Sequence, residues 1–198
     1  TVGVLMESGR IDLFAFIGTH KGASDLKKLH PKPHRLRAVL GLDAKNPAIV
    51  LPCADLAKAV PEIVSGALSF NGQRCTALKI IFVHRSMADA VVTQLAEAVS
   101  ALTLAMPWQK NAQITPLPEP GKTAALTALL QDALSHGAKV MNAGGGAVAA
   151  TLFKPAVLYP VTPAMKLYQL EQFGPLVPVV PFDDIQQVID YVIHSDYG

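Results

Sequence analysis

Short apolar runs that alternate with longer amphipathic segments restrict the fold of this sequence more than any other feature. The run Ile80–Val83 contains no polar residue, and the run 177–182 is interrupted only by proline. Short continuous runs of this kind are typical of strands that are buried on both faces of a parallel sheet. Segment 52–70 instead repeats its apolar residues every three or four positions, as an amphipathic helix does. The sequence therefore predicts an α/β fold of three layers (αβα), with helices on both faces of a largely parallel sheet.

The same alternation extends along the rest of the chain. Apolar runs predict further strands at 11–17, 36–42, 48–51, 138–141 and 152–161. Three- and four-residue apolar spacing predicts further helices that begin near Ser86, Gly121 and Ile185. Pro155 lies inside one predicted strand, which indicates an edge or a bulge because proline cannot donate a hydrogen bond to a neighbouring strand.

Composition and charge exclude several classes of function. The 198 residues are 51% hydrophobic and 16% charged, which suits one domain or one and a half and excludes disorder. The net charge of +2 comes from scattered residues, so we expect no nucleic-acid partner. No apolar run is long enough to span a bilayer, and two cysteines do not make a disulfide framework, so we expect a cytoplasmic protein. His30 and His34 are separated by prolines that prevent a helical zinc site, and no metal is expected.

Cys75 is the candidate nucleophile. It lies in a short polar turn between the helix predicted at 52–70 and the strand predicted at Ile80–Val83, directly after Arg74. A nearby cation lowers the pKa of a thiol and raises the fraction of thiolate, which is the attacking species. A lone cysteine is more often a small buried hydrophobe, but the polar neighbours favour a nucleophile here. We interpret the other cysteine, Cys53, as structural.

Two segments carry a resemblance to a known family. The segment Gly72–Ala77, Gly-Gln-Arg-Cys-Thr-Ala, resembles the active-site cysteine motif of the aldehyde dehydrogenase superfamily. This form of the motif is most similar to the NADP-dependent, non-phosphorylating glyceraldehyde-3-phosphate dehydrogenases. The segment Glu171–Pro175, Glu-Gln-Phe-Gly-Pro, resembles the second motif of the family, Glu-x-Phe-Gly-Pro. The order of the two motifs and the distance between them also resemble the family.

The resemblance implies a chemistry and a set of site residues. A thiolate on Cys75 would attack an aldehyde, and hydride transfer to NADP or NAD would leave a thioester that water cleaves. Glu171 resembles the residue that bonds the hydroxyls of the nicotinamide ribose, and Phe173 the residue that packs near the ring. Gly18 and Thr19 lie where the family places a turn against the cofactor, although this turn is shortened here and is also compatible with a plain strand-to-helix connection.

Arg74 and Asp43 have two interpretations each. Arg74 resembles a ligand of the substrate phosphate, and the alternative is a structural arginine that only influences Cys75. The family's general-base glutamate is replaced by Gly41. Asp43 lies two residues further on and would face the same side of a continuing strand, which makes it a candidate base for the water. Asp43 is equally compatible with a role in a turn.

The resemblance also implies a domain organisation. We expect residues 1–45 to be the last part of a nicotinamide-binding domain and residues 46–198 to be a catalytic domain, both from a longer enzyme that forms a homodimer or homotetramer. The chain alone is expected to be inactive and to bind no nicotinamide cofactor tightly. One alternative is a CoA-acylating aldehyde dehydrogenase, for which the missing glutamate matters less because a thiol is a better nucleophile than water. The other alternative is a catalytically inactive interaction domain.

Overall fold

The computed structural model describes residues 2–197, and the chain divides into two compact units. The smaller unit is Thr1–Ala44 and the larger unit is Lys45–Gly198. The division lies one residue before the boundary predicted from the sequence. The assignment of the smaller unit to a nicotinamide-binding domain stays a prediction.

The smaller unit is built around two parallel strands joined by a helix. Its elements are α1 (Val2–Glu7), β1 (Leu13–Ile17), α2 (His20–Lys28), a 3₁₀ turn (Pro33–Arg35) and β2 (Arg37–Gly41). The Thr19 hydroxyl accepts a hydrogen bond from the Gly22 N–H and so caps the start of α2.

The larger unit contains a five-stranded sheet in the order β3-β4-β9-β8-β5. All its neighbouring strands are parallel except β5, which is antiparallel to β8. The strands are β3 (Pro47–Val50), β4 (Ile80–His84), β5 (Lys139–Val140), β8 (Ala156–Tyr159) and β9 (Leu176–Phe182), and β6 (Val148–Ala149) and β7 (Leu152–Phe153) form a separate hairpin. The helices are α3 (Leu56–Leu68), α4 (Ala88–Ser100), α5 (Lys122–Ser135), α6 (Lys166–Gln169) and α7 (Ile185–His194).

Alternate residues of the central strands enter two different cores. Ile80 and Phe82 pack with α5, whereas Ile81 and Val83 pack with α3 and α4 on the other face. Successive side chains of a strand point to opposite faces, so a strand covered by helices on both sides must be apolar at every position. The continuous run at β4 therefore has a physical explanation, and the predicted three-layer α/β fold is confirmed.

Two predicted elements differ in detail from the observed ones. The strand predicted at 152–161 is divided into β7 and β8, with Pro155 between them. The helix predicted at 52–70 begins only after Asp55, whose carboxylate accepts a hydrogen bond from the Ala57 N–H. This helix ends at Leu68 and continues as a 3₁₀ turn, Ser69–Gly72, in which Phe70 and Asn71 have left-handed backbone angles.

Within residues 2–197, none of the helices combines the length and the apolar character that a membrane crossing would need.

We expect the side of the sheet covered by α4 to depend on Leu95, which is fully buried there. Leu95→Ala should lower the free energy of unfolding by about 3 kcal/mol, because it removes apolar contacts and leaves a cavity. Ile193→Ala is the control, since Ile193 is 68% exposed on α7 and its truncation should change stability little. Urea unfolding measures both, and equal losses for the two variants would contradict this account of the core.

Candidate active site

Three chain segments meet at the amino edge of the larger sheet. Residues 45–46 precede β3, residues 73–79 precede β4, and residues 170–175 precede β9. These three strands are parallel neighbours in the sheet, so their amino ends lie side by side. The sheet thereby brings Cys75 and the Glu171–Pro175 segment to one place although they are far apart in sequence.

The turn that carries Cys75 is held by the side chain of Asn46. The Asn46 amide donates hydrogen bonds to the Cys75 carbonyl at 2.7 Å and to the Ala77 carbonyl at 3.0 Å. The backbone carbonyl of Asn46 also accepts a hydrogen bond from the backbone N–H of Lys79 at 2.8 Å. Cys75 itself is exposed, so the turn is fixed while its sulfur remains accessible to a reagent.

The two motifs are in direct contact through their glycines. Gly72 has a left-handed φ of +69°, and a Cβ there would lie 2.7 Å from the Ala67 carbonyl oxygen and 2.8 Å from the Gly174 carbonyl oxygen. Side chains do not tolerate approaches this short to the backbone. A glycine is therefore required at this position, both for the backbone angle and for the close packing of one motif on the other.

Lys79 connects the same two segments by its side chain. Its Nζ donates a hydrogen bond to the Gly72 carbonyl at 2.9 Å and lies 3.4 Å from Oε1 of Glu171. It also lies 4.8 Å from the centre of the Phe173 ring, and Nζ of Lys122 lies 5.4 Å from the same centre. Lys79 is 1% exposed, so these groups replace water around its ammonium.

Gln172, which lies in the sequence between Glu171 and Phe173, forms a second connection between the segments. Its Nε2 donates hydrogen bonds to the Lys79 and Leu176 carbonyls, both at 2.9 Å. Its Oε1 accepts a hydrogen bond from Nζ of Lys45 at 2.7 Å, and the same Nζ donates to the Leu170 carbonyl at 2.7 Å. Gln172 and Lys45 are both buried. The positions of Glu171 and Phe173 are thus fixed by the residue between them.

Burial dominates the electrostatics of the two lysines. The pKa of Lys45 is lowered to about 7, chiefly by burial and also by the charge of Lys79, while Glu171 acts in the opposite direction. Burial also lowers the pKa of Lys79, while Glu171 and, more weakly, Cys75 raise it. Both shifts have the direction expected when a charged group loses water.

Arg74 lies beside an apolar cleft. Its guanidinium carbon is 5.0 Å from the centre of the Phe70 ring, and both side chains are exposed. Phe70 and Asn71 line a cleft of about 790 Å³ whose other walls come from α3, α4 and the loop 107–115. Asn71 exchanges two hydrogen bonds with Thr115 and so joins the turn to this loop. Stacking uses the face of the guanidinium and leaves its edge available for an anion.

The site residues predicted in the smaller unit have partners within that unit. The Asp43 carboxylate accepts a hydrogen bond from the His20 N–H at 2.7 Å and lies 2.6 Å from Nδ1 of the His20 ring. Burial tends to raise the pKa of Asp43, but the combined interactions with His20 outweigh it and lower the pKa overall. Strand β2 ends at Gly41, so the condition that the strand continues to Asp43 is not met. The prediction of Asp43 as a base therefore loses the support of a shared strand face. The hydrogen bonds with His20 support its alternative role as a turn residue.

Sequence reasoning missed four residues that organise the site. They are Lys45, Asn46, Lys79 and Gln172. A signal for Lys79 was present, because a lysine directly before the buried run Ile80–Val83 implies either a strand end or a buried partner. No comparable signal identified Gln172, two of whose partners lie 93 and 127 residues away in sequence.

Comparison with known proteins decides the family. The sequence model described as "Aldehyde dehydrogenase family" matches residues 1–198. The chain belongs to the aldehyde dehydrogenase family.

Three aldehyde dehydrogenases illustrate the similarity. The NADP-dependent glyceraldehyde-3-phosphate dehydrogenase of Streptococcus equinus is 36% identical over 160 residues, which is 81% of this chain and 33% of the relative. The succinate-semialdehyde dehydrogenase [NADP(+)] 1 of Mycobacterium ulcerans is 35% identical over 162 residues, which is 81% of this chain and 35% of the relative. The crystal structure of an NADP-dependent glyceraldehyde-3-phosphate dehydrogenase from Bacillus halodurans C-125, complexed with NADP, matches with a TM-score of 0.91 at 37% identity. The match covers 99% of this chain and 40% of the chain in that structure. This aldehyde dehydrogenase chain thus spans about a third of the length of the curated relatives it matches.

We expect Cys75 to be the more reactive of the two thiols in this aldehyde dehydrogenase chain. Both cysteines are exposed, so a difference in labelling would report on local charge rather than on access. With limiting iodoacetamide near pH 7, peptide mapping should find the label on Cys75 well before Cys53, because cations at the turn favour the thiolate. Equal labelling of the two cysteines would remove the argument for an activated sulfur.

The pH dependence of stability should reveal the buried Lys45. Its pKa is lowered to about 7 in the folded chain, so between pH 7 and 10 the unfolded chain binds more protons at this residue. The free energy of unfolding of the wild type should therefore rise with pH relative to that of Lys45→Met, by at most about 1.4 kcal/mol per pH unit. Urea unfolding from pH 6.5 to 9.5 measures this difference.

The control for this measurement is Lys110→Met, at an exposed position. It should keep the pH dependence of the wild type. If the free energies of unfolding of the wild type and Lys45→Met changed in parallel over the whole pH range, Lys45 would not be desolvated in the folded chain.

Proposed function

We propose that this chain supplies the catalytic part of an NADP-dependent aldehyde dehydrogenase that oxidises an aldehyde to an acid on Cys75. The observation that carries the proposal is the contact between the two motif segments. Gly72 packs on the Gly174 carbonyl, and Lys79 bonds the Gly72 carbonyl while pairing with Glu171. The segment that carries the exposed sulfur is thereby packed against the segment that carries Glu171 and Phe173, a carboxylate and an aromatic ring suited to the nicotinamide end of a cofactor.

The reaction at Cys75 has two stages. The thiolate attacks the aldehyde carbon, a C–S bond forms, and the carbonyl electron pair moves to oxygen to give a thiohemiacetal. The carbonyl re-forms as the hydride leaves the same carbon, and a thioester remains on Cys75. Water then attacks the thioester, the C–S bond breaks, and the acid is released while the sulfur recovers its electron pair. Backbone N–H groups near Cys75 would stabilise the oxyanion formed in each stage.

The residues present fit the nicotinamide end of the cofactor, whose chemical contribution is to accept the hydride. The Glu171 carboxylate is an acceptor-only group and would hold the ribose hydroxyls. The half-buried Phe173 ring would pack beside the nicotinamide. Gly18 and Thr19 are proposed to line the cofactor by their backbone, because the Thr19 hydroxyl caps α2. The choice of NADP follows the names of the relatives.

Glyceraldehyde 3-phosphate is the proposed substrate. Its support is the 36% and 37% identity to proteins named as NADP-dependent glyceraldehyde-3-phosphate dehydrogenases. In this proposal Arg74 binds the substrate phosphate, for which the edge of a planar guanidinium is well suited. A relative named succinate-semialdehyde dehydrogenase is 35% identical. The two substrates that these names indicate are both aldehydes with an anionic group, so the proposed substrate class is an anionic aldehyde. The complete enzyme is proposed to be a homodimer or homotetramer.

A CoA-acylating aldehyde dehydrogenase is the second candidate function. It is favoured by Gly41, which offers no carboxylate, and by the engagement of Asp43 with His20. A thiol acceptor needs less help from a base than water does. In the first candidate function, in which water cleaves the thioester, Asp43 remains the proposed base. Its carboxylate would then have to leave its hydrogen bonds with His20 during the reaction.

A burst experiment tests the proposed function in a polypeptide of the relatives' full length that contains this chain. Mixing enzyme, NADP and glyceraldehyde 3-phosphate should give a burst of NADPH equal to the enzyme concentration, and Cys75→Ser should abolish it. Asp43→Asn should keep the burst, because acylation needs only Cys75, the oxyanion donors and the cofactor. If Asp43 is the base, the steady-state rate of the Asp43→Asn variant should fall by about a hundred- to ten-thousand-fold.

The outcomes separate the candidates. A burst that survives in Cys75→Ser would contradict the proposed chemistry. A normal steady-state rate of Asp43→Asn with water as acceptor would make Asp43 a turn residue. Acceleration by CoA, with an acyl-CoA product, would establish the second candidate.

A further inference from the structure

The second motif leaves one position open, and in this chain a buried polar side chain fills it. Gln172 occupies the unspecified position of Glu-x-Phe-Gly-Pro and is 2% exposed. Burial of an amide costs free energy unless its groups are bonded, whereas an apolar residue of similar size would be buried without that requirement. The glutamine therefore points to a role for its hydrogen bonds rather than for its volume.

The partners of Gln172 determine the orientation of its amide. Its Nε2 donates to the Lys79 and Leu176 carbonyls, each at 2.9 Å. A carbonyl oxygen only accepts, so the amide nitrogen must face these two groups, and the amide oxygen must face Nζ of Lys45, at 2.7 Å. A glutamate of the same size would keep the contact with Lys45. Its carboxylate has no hydrogen to donate, so both bonds to the carbonyls would be lost.

The residues on the two sides of Gln172 contact the same lysine as its amide does. Oε1 of Glu171 lies 3.4 Å from Nζ of Lys79, and the centre of the Phe173 ring lies 4.8 Å from it. Gln172 bonds the backbone of Lys79, while Glu171 and Phe173 contact its side chain. Measured contacts therefore join the amide to both neighbouring side chains through one residue.

Phe173 has a backbone conformation that requires such support. Its φ is +39°, in the left-handed region that a bulky residue rarely adopts. Conformations of this kind cost free energy and persist only where the surrounding structure holds them, which is common at ligand sites. The bonds of Gln172, directly before Phe173, supply part of that support. Without them the Phe173 backbone is expected to relax and its ring to move.

We propose that Gln172 is a positioning residue for the nicotinamide end of the cofactor, because its amide holds Glu171 and Phe173 in the arrangement that binds the ribose and the ring. This inference rests on the proposed function, in which these two side chains contact the cofactor. Gln172 is buried and acts through its neighbours.

The first test compares two ligands in a polypeptide of the relatives' full length that contains this chain. NADPH carries the nicotinamide and its ribose, whereas adenosine 2′,5′-bisphosphate carries only the adenosine and the 2′-phosphate. The variant is Gln172→Glu, which keeps the size of the side chain and removes its bonds to the two carbonyls. Calorimetric titration gives the dissociation constant of each ligand.

Asn142→Asp is the matched control. Asn142 is also buried, its Nδ2 donates to the Pro155 carbonyl at 2.9 Å, and its Oδ1 accepts from the Val157 N–H at 2.8 Å. These partners lie outside the three segments that meet at the candidate site. The same chemical change is thereby made to a buried amide elsewhere in the larger unit.

We expect Gln172→Glu to raise the dissociation constant of NADPH by about five- to twentyfold. The dissociation constant of adenosine 2′,5′-bisphosphate should stay within about twofold of the wild type, because this ligand lacks the groups that Glu171 and Phe173 would contact. Asn142→Asp should leave both constants unchanged even where it lowers the melting temperature. A residue with a structural role alone would weaken the two ligands equally or not at all.

The second test needs no cofactor and uses the 198-residue chain. The backbone N–H of Glu171 donates to the Tyr197 hydroxyl, and that of Leu176 donates to the Gly174 carbonyl. Hydrogen exchange at these two groups should accelerate by about tenfold in Gln172→Glu, because the segment loses its anchor. Asn142→Asp should leave their exchange unchanged.

A second pair of variants covers a loss of folding. If Gln172→Glu melts below the assay temperature, Gln172→Met takes its place in both tests, since it removes the same bonds without burying a charge. Asn142→Leu is then the control. The expected changes in NADPH affinity and in hydrogen exchange are the same.

Three results would overturn the proposal. They are an unchanged affinity for NADPH in the Gln172 variant, an equal loss of affinity for both ligands, and unchanged hydrogen exchange. The proposed function fails in a different measurement, the burst of NADPH and its dependence on Cys75. A normal burst together with an unchanged NADPH affinity in the Gln172 variant would overturn the positioning role alone. A wild type that binds no NADPH would overturn both.

Discussion

Gln172 presents one buried amide to three segments of the chain at once. Its oxygen accepts from Lys45, which precedes β3, and its nitrogen donates to the carbonyls of Lys79, before β4, and Leu176, in β9. All of these groups are withdrawn from water, so each lost partner would cost about 1–3 kcal/mol. The amino ends of three neighbouring strands are therefore fixed together. The distance between the candidate nucleophile and the proposed cofactor carboxylate follows from that framework.

The location of the site at the amino edge has a physical consequence. In open parallel sheets ligands usually bind beyond the carboxyl ends of the strands, where helix amino ends also provide a positive field. In the larger unit the carboxyl ends of β4 and β9 are joined instead by an ion pair between Arg85 and Asp183. At the opposite edge the field has to come from side chains. Among the described residues of the larger unit, Lys45 and Lys79 are buried at this edge, and burial lowers the pKa of both.

The sequence was sufficient for the fold because its information there is local. Continuous apolar runs indicated β4 and β9, and the spacing of apolar residues indicated a helix that begins near Ile185, where α7 begins. Cys75, Glu171 and Phe173 were recognisable because they lie in motifs. Their framework was not recognisable, since a buried lysine and an exposed lysine look alike until the fold supplies their partners. The prediction for Asp43 depended on a strand that ends two residues earlier, and the competing interaction with His20 has no sequence pattern.

The separation of 93 residues between Lys79 and Gln172 also dictates when the site can form during synthesis. A ribosome that has completed the cysteine turn must add the whole of α4, α5 and β8 before the amide of Gln172 exists. Local contacts such as those within α3 and α4 can form early, whereas contacts between distant segments require the closure of a long loop. The growing chain therefore carries the thiol without its framework while residues 76–172 are added. The complete surroundings of this sulfur therefore form only after the Gln172 segment has been made and has folded back onto the cysteine turn.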